Sequence, residues 1–409
     1  MAETHYHPQV SSYLKAVSGN SCWNEDDRAH ALELAQKAPL PSRLEEDWRK
    51  TDPEAFPWNQ VEEVDPAQTR TDVVLRGLNG GSIAGISPLS RDGKDAERCR
   101  KLMLIAGDDY DAKFLYYHKA LAQNPVGARI PPGYQEAPLE IIQRARGPGL
   151  ATFTTVLVVE REANVIVYDR WEAGEESSPA IGRMEIQVED GAHLTYLQDD
   201  AVGARSALYR RARIQMDRDA QVKWYAITPG APWHVARLEL DLNGPGCYGE
   251  VKGLFAGKGD ARADHRTHQY HGAPNAKSDL TFKTLLAGRA HSVYQGLITV
   301  PPQAQKTDAY QQCRNLLLEP GTHADAIPKL EIIADDVRCT HGASMGSVNR
   351  EAVFYLMSRG LTRPQAITAI ATGFAEEIIR FVPLEAVQER WRKLVNETIG
   401  SAIGEENRN

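Results

Sequence analysis

Excess basic charge is missing from this 409-residue chain, in which 47 Lys and Arg stand against 55 Asp and Glu for a net charge of −8. That balance argues against bulk nucleic-acid binding, which needs a cationic surface to displace counterions. Long apolar runs are missing too. The longest, Leu102 to Ala106 and Val156 to Val159, fall far short of the roughly 18 residues that cross a bilayer. Met1 to Gly19 carries no basic stretch followed by an apolar core, so a secretory leader is not expected and the chain is assigned to the cytosol. Cysteine is scarce. The five residues Cys22, Cys99, Cys247, Cys313 and Cys339 are odd in number and widely spaced, which argues against a disulfide framework and fits reduced thiols. A hydrophobic content of 42% over this length is ample for two or three domains with cores of their own.

Three regimes follow along the chain. Residues 1–129 read as a helical region, with helical spacing over Ser11–Val17, Glu25–Lys37 and Asp111–Gln123. Residues 130–346 read as β structure without long helices. Short alternating runs rich in Val, Ile, Tyr and Thr are Phe153–Val159, Asn164–Tyr168, Met184–Val188, His193–Leu197, Val222–Ile227 and Arg237–Leu242. Residues 347–409 turn helical again. Ser347 or Asn349 caps a first helix through Ser358, and Gly360 stops it. Thr362, Arg363 and Pro364 open a second that Pro383 breaks, and Leu384 to Ile399 carry the apolar stripe of a third.

Small residues after turn signals recur in the β region at Gly191-Ala192, Asp219-Ala220, Gly246-Cys247, Asp260-Ala261 and Arg289-Ala290, with steps near multiples of 14. A β-solenoid gives such a recurrence, because each coil repeats its strands and corners. A β-sandwich also gives many short strands, so both architectures are open on pattern alone.

Several motifs imitate chemistry. Gly244 to Gly249 matches G-x-G-x-x-G but runs into a glycine-rich strand and turn rather than a helix, which removes the dinucleotide reading. Gly253 to Gly259 lacks the Ser/Thr and the spacing of a P-loop. His265, His268 and His271 would alternate faces on a strand and not converge on a metal. Cys339 and His341 are the most suggestive pair, since in extended backbone they point the same way and offer a thiol and an imidazole together. Two ligands do not close a zinc or iron–sulfur site, so a further chain could supply the rest; a buried structural Cys beside a hydrogen-bonded His is the plainer alternative.

The stretches Lys306 to Leu318, Pro328 to Ile332 and Ala334 to Ala343 resemble the SufB/SufD family, as do Phe354 to Gly360 and Gly373-Phe374. Glu46 to Asp52 looks like the E-x-W-R-x-T-D signature of the family's SufD branch, with Lys50 in place of an aromatic; the C-x-H-G form at Cys339 to Gly342 also favours that branch over SufB. This resemblance implies a right-handed parallel β-helix between helical regions. It also implies a non-catalytic scaffold that pairs with a SufB-like scaffold through the β-helix ends and with a SufC-like ABC ATPase through the C-terminal helices. Iron–sulfur clusters would be built in that complex, which would also support iron acquisition. Carried over by position, His341 matches an interface histidine proposed to hold the nascent cluster or metal, with Cys339 as its motif neighbour. Cys313 stands where the SufD branch more often has Asn and SufB has its key cysteine, so it is either an inert small residue or a further thiolate for the cluster. Phe354, Tyr355, Arg359, Gly360 and Phe374 are the expected partner-binding residues. Reduced flavin has been linked to the family's complex, although no segment here specifies a flavin pocket. A stand-alone β-helix enzyme on carbohydrate is the competing reading, with Asp335-Asp336 as its nearest acidic pair, and an uncovered solenoid end could self-pair into a homodimer.

Overall fold

Returning to the same corner once per coil requires a residue that turns tightly and a neighbour small enough for the next coil to cover. Gly191, Asp219, Gly246, Gly259 and Gly288 all take positive φ, between 54° and 79°, where glycine carries no Cβ penalty. Ala192, Ala220, Cys247, Ala261 and Ala290 follow and are buried. The first three stack in one column: Gln221 N–H bonds the Ala192 carbonyl at 2.9 Å, Tyr248 that of Ala220 at 3.0 Å and Lys277 that of Cys247 at 2.8 Å. Ala261 and Ala290 belong to a second column, joined by His291 N–H to the Ala261 carbonyl at 2.9 Å. The two columns are the two corners of one coil, half a coil apart.

The computed structural model describes residues 14–15, 23–80, 83–90, 93–105, 109–135, 137–172, 178–201 and 206–403. Most of the helix expected over Ser11–Val17 lies outside these residues, as does Cys22. Strands are β1 (Arg70–Gly77), β2 (Ser87–Pro88), β3 (Val126–Ile130), β4 (Leu139–Arg146), β5 (Ala151–Val159) and β6 (Asn164–Glu172). Next come β7 (Ala180–Val188), β8 (His193–Asp199), β9 (Ala207–Met216), β10 (Gln221–Pro229), β11 (Trp233–Leu242) and β12 (Tyr248–Gly257). The last six are β13 (Arg262–His271), β14 (Lys277–Leu286), β15 (His291–Val300), β16 (Asp308–Leu317), β17 (His323–Ile332) and β18 (Arg338–Ser347). Among the described residues they form two nine-stranded sheets, β1-β4-β6-β8-β10-β12-β14-β16-β18 and β17-β15-β13-β11-β9-β7-β5-β3-β2. Successive coils pair in parallel; β1 on β4 and β2 on β3 are antiparallel. The chain is therefore a mainly β protein, a β-solenoid of about seven turns with helices before and after it, and the sandwich alternative falls away.

The region expected to be helical contributes three strands. β1 lays Val73 and Leu75 against the lumen cluster and pairs with the first coil's edge, which would otherwise be an open template. The alternating runs read from the sequence stop at Leu242, short of β12–β18, and also pass over β4 and β9, whose arginines mask their alternation. Arg210 on β9 is inside, paired with Asp169 and Asp200, while Arg211 is paired with Asp109 and Glu239.

Helices are α1 (Glu25–Lys37), α2 (Trp58–Glu62), α3 (Gly93–Leu102), α4 (Ala112–Leu121), α5 (Arg350–Ser358), α6 (Arg363–Ile379) and α7 (Glu385–Ile403). Local capping sets their starts: Asn24 and Asp27 make a capping box on α1, Asn349 caps α5, and Thr362 with Gln365 boxes α6. Gly360, at φ +95°, turns the chain between α5 and α6. Each sheet's outer face has its own cover. Trp48, Phe56 and Phe114 from the N-terminal region pack with Tyr209, Trp233 and Val235 of the β17-to-β2 sheet. Ile367, Ile378 and Trp391 of α6 and α7 pack with Leu197, Tyr225, Leu254 and Leu285 of the other sheet. No described helix is long and apolar enough to cross a membrane.

Candidate functional site

The last coil is where the fold stops without closing. β18 pairs with β16 and β17 with β15, and among the described residues neither has a strand on its other side. Alternation sends Gln311, Cys313 and Asn315 of β16 into the lumen, all three buried. The register then sets Cys339 over Ala309, His341 over Gln311 and Ala343 over Cys313. These β18 positions belong to the lumen column, yet no further coil covers them. His341 is exposed, Cys339 is half-buried and Met345 is 53% exposed. Tyr310, Ile332 and Ile333 add exposed apolar surface near this end.

Cys313 Sγ receives the Asn315 side-chain amide at 3.4 Å. Burial pushes its thiol up to about 12, with the Asn315 contact pulling the other way. Burial also raises the Cys339 thiol; the Ala309 backbone hydrogen bond lowers it and Asp308 raises it further. Both are protonated thiols at neutral pH, since a thiolate requires a titration below or near ambient pH. Gln311, beneath His341, has both side-chain amide atoms buried and without a hydrogen-bond partner among the described residues. Such a group costs free energy until something satisfies it. Cys339 and His341 share a face, as the alternation required. Cys313 is offset by two residues and one strand, about 8 Å from His341 by Cα spacing. These three do not reach metal-ligand spacing. Among the described residues the one group of three that does is His291, His323 and Asp325.

The expected partner-binding residues divide. Phe354 and Tyr355 are 73% and 57% exposed on α5, a helix with no buried residue. Arg359 lies over the Tyr355 ring at 5.2 Å, and exposed Gly360 follows. Phe374 is elsewhere: on α6 it packs under Lys283, whose Nζ is 4.1 Å from its ring and bonds its carbonyl at 3.1 Å. α5 borders a groove lined by Leu318, Pro320, Val348, Val353, Met357 and Ile367.

The imitation motifs have structural roles. Gly244 and Gly246 form a corner, where a Cβ on Gly244 would lie 2.1 Å from the Arg218 nitrogen, and the chain continues as strand β12. On β13, His265 and His271 face inward and His268 outward; they bond Thr228 at 3.2 Å, Ser278 at 2.9 Å and Thr299 at 3.0 Å. Burial lowers all three, His271 to about 4, so they are neutral.

Glu46 to Asp52 proves to be a clasp across four coils. Trp48 is fully buried, stacks on Phe114 at 5.7 Å and donates Nε1–H to Asp111 at 3.0 Å. Asp47 pairs with Arg237 at 2.7 Å, Thr51 with Asp264 at 2.7 Å and Lys50 with Asp325 at 3.0 Å. Burial pushes the Asp111 carboxyl up, but Arg237 and Arg266 outweigh it and hold the group at about 2. Reading along the chain could not find Asp325 or its histidines, because their signal is a register between coils.

Comparison with known proteins bears on the same residues. Residues 142–374 match the SufBD core domain of the SUF system for FeS cluster assembly. The iron-sulfur cluster assembly protein SufD of Escherichia coli (strain K12) is 25% identical over 384 residues, covering 88% of this chain and 89% of the relative. SufD of Bacillus subtilis (strain 168) is 25% identical over 283 residues, covering 68% of this chain and 65% of the relative. For SufB of the same organism the figures are 26% over 298 residues, 71% and 63%. The matches thus span just under two thirds of each B. subtilis relative's own length.

Proposed function

This chain belongs to the SufBD family of iron–sulfur cluster assembly proteins, and on that premise we propose that it is a SufD-type scaffold in a cytoplasmic Suf complex, with nucleotide hydrolysis supplied by a partner. Its β17–β18 end would pair with the solenoid end of a SufB-like scaffold. α5 would dock a SufC-like ABC ATPase through Phe354, Tyr355, Arg359 and Gly360, while Phe374 acts indirectly by anchoring α6 on Lys283. Iron and sulfide are the cargo: the nascent cluster would be held at the solenoid–solenoid interface by His341, with Cys339 beside it and the remaining ligands from the partner. The observation that carries this reading is the unclosed lumen column: among the described residues, the exposed imidazole of edge strand β18 sits over a buried amide on β16 that has no hydrogen-bond partner. An edge of this kind is a template for another chain. An imidazole is a neutral and exchangeable ligand compared with thiolate, which suits a cluster that must be passed on.

Cys313 fits this scheme as a reserve. Sealed and protonated in the lone chain, it would become a ligand only if ATP-driven movement of the C-terminal helices opened the last coil. The test is anaerobic co-expression with SufB-like and SufC-like partners from the same organism. His341→Ala is expected to leave the complex intact while abolishing the iron and sulfide recovered with it. Full cluster content in that variant would sink the role of His341, and failure of the parent chain to co-purify with either partner would sink the scaffold reading. The same unpaired edge supports homodimerisation of the isolated chain, which sedimentation at increasing concentration would reveal.

A further inference from the structure

Two adjacent coils place a second set of metal-ligating groups on a different face from His341. His291 and His323 each open their strand, β15 and β17, and are register partners. In a parallel ladder such partners lie about 4.8 Å apart at Cα with side chains on one face. Asp325 follows His323 by two residues and so points the same way, to the outer face beneath the N-terminal clasp. The side chains converge. His291 Nε2 is 2.9 Å and His323 Nε2 3.5 Å from the same Asp325 oxygen, Oδ2, and all three ligand atoms lie within 4.8 Å of one another. Donors bound to one first-row metal at 2.0–2.2 Å sit roughly 3.0–3.4 Å apart, so both imidazole–carboxylate distances are near liganded spacing and the imidazoles need close only from within 4.8 Å.

We propose that His291, His323 and Asp325 bind one divalent first-row transition-metal ion. Two imidazoles and one carboxylate with open positions are the donor set suited to ferrous iron, and zinc accepts the same donors. Each imidazole would present Nε2 as a lone pair and carry its proton on Nδ1, while water completes the coordination. Asp325 is prepared for a single-oxygen bond. Lys50 Nζ holds its other oxygen, Oδ1, at 3.0 Å, leaving Oδ2 for the metal, the kind of outer contact that orients a ligating carboxylate. Access is provided by a cavity beside the group, lined by Lys50, Thr51, Asp264, His291 and Val293, and by His323, which is 67% exposed.

The probe is Co²⁺, titrated into the full-length chain after chelator treatment and followed by visible absorption, with Zn²⁺ and anaerobic Fe²⁺ as competitors. One equivalent should bind with weak ligand-field bands and no thiolate charge-transfer band, and either competitor should displace it. His323→Gln and Asp325→Asn should each weaken binding roughly tenfold or more, whereas His341→Ala, on the lumen column, should not. His323→Gln alters a mostly exposed side chain, and an unchanged thermal midpoint of the metal-free variant confirms that it is folded. Absence of saturable binding, a thiolate charge-transfer band, or parent-like affinity in either variant would overturn the assignment. Because this readout involves no cluster and no partner, it stands or falls separately from the scaffold role of His341.

Discussion

The N-terminal cover and the last coil treat buried polar groups in opposite ways. Under the cover, the central carboxylates are multiply paired: Asp111 by Arg237, Arg266, Tyr209 and Trp48, and Asp47 by Arg237. At the last coil, Gln311 is buried without a partner among the described residues, Cys313 is a sealed thiol, and His341 faces outward from a column built to be covered. The first region spends its interactions on stability within the chain. The second withholds them, which is how a surface destined for another chain or a cargo differs from one completed by its own fold.

That contrast can be broken by mutation. Trp48→Ala should cost about 3–5 kcal/mol in chemical denaturation, because it removes a fully buried indole and its aromatic stack. Met345→Ala at the open end should stay within about 0.5 kcal/mol in the isolated chain. Equal losses at the two positions would erase the distinction.

Acid should weaken the cover through Asp111. The Asp111 carboxyl is depressed from its ordinary 3.8 to about 2, so its stabilisation is full above about pH 5 and is lost as pH falls through about 2. The shift corresponds to about 2 kcal/mol. Asp111→Asn should flatten that part of the stability–pH curve, and a parent-like slope in the variant would assign the acid sensitivity elsewhere.

Thiol reactivity sharpens the comparison within the last coil itself. In the native chain iodoacetamide should label half-buried Cys339 before Cys313, which should react only on unfolding or when partners and ATP open the coil. Mass mapping of the labelled peptides decides it; early labelling of Cys313 would show a coil that opens unaided. The smallest expected change in stability, again within about 0.5 kcal/mol, comes from Phe354→Ser on exposed α5. The same variant should lose retention of the ATPase partner in a pull-down, and full retention would move that interface off α5.

Much of this architecture was legible one residue at a time. Asn349 and Thr362 start helices because their side chains bond amides two or three residues on, an interaction contained in the local sequence. Corner residues were legible for the same reason: positive φ and a small buried neighbour are local demands repeated every coil. Arginine-bearing β4 and β9 were not, because whether Arg210 points inward depends on Asp169 of an earlier coil and on Asp200 across the preceding corner.

The candidate site divides along the same line. Strand alternation alone put Cys339 and His341 on one side of the backbone. Only the assembled coils decided that this side is the lumen column, that no described strand covers it, and that Cys313 lies two residues out of register and sealed. They also decided that His291 meets His323 and Asp325, a pairing between residues on successive coils. Turns, caps and side-chain alternation are set by covalent neighbours within a few residues. Register, exposure and ligand spacing are set by how whole coils stack, and no short window of sequence contains that information.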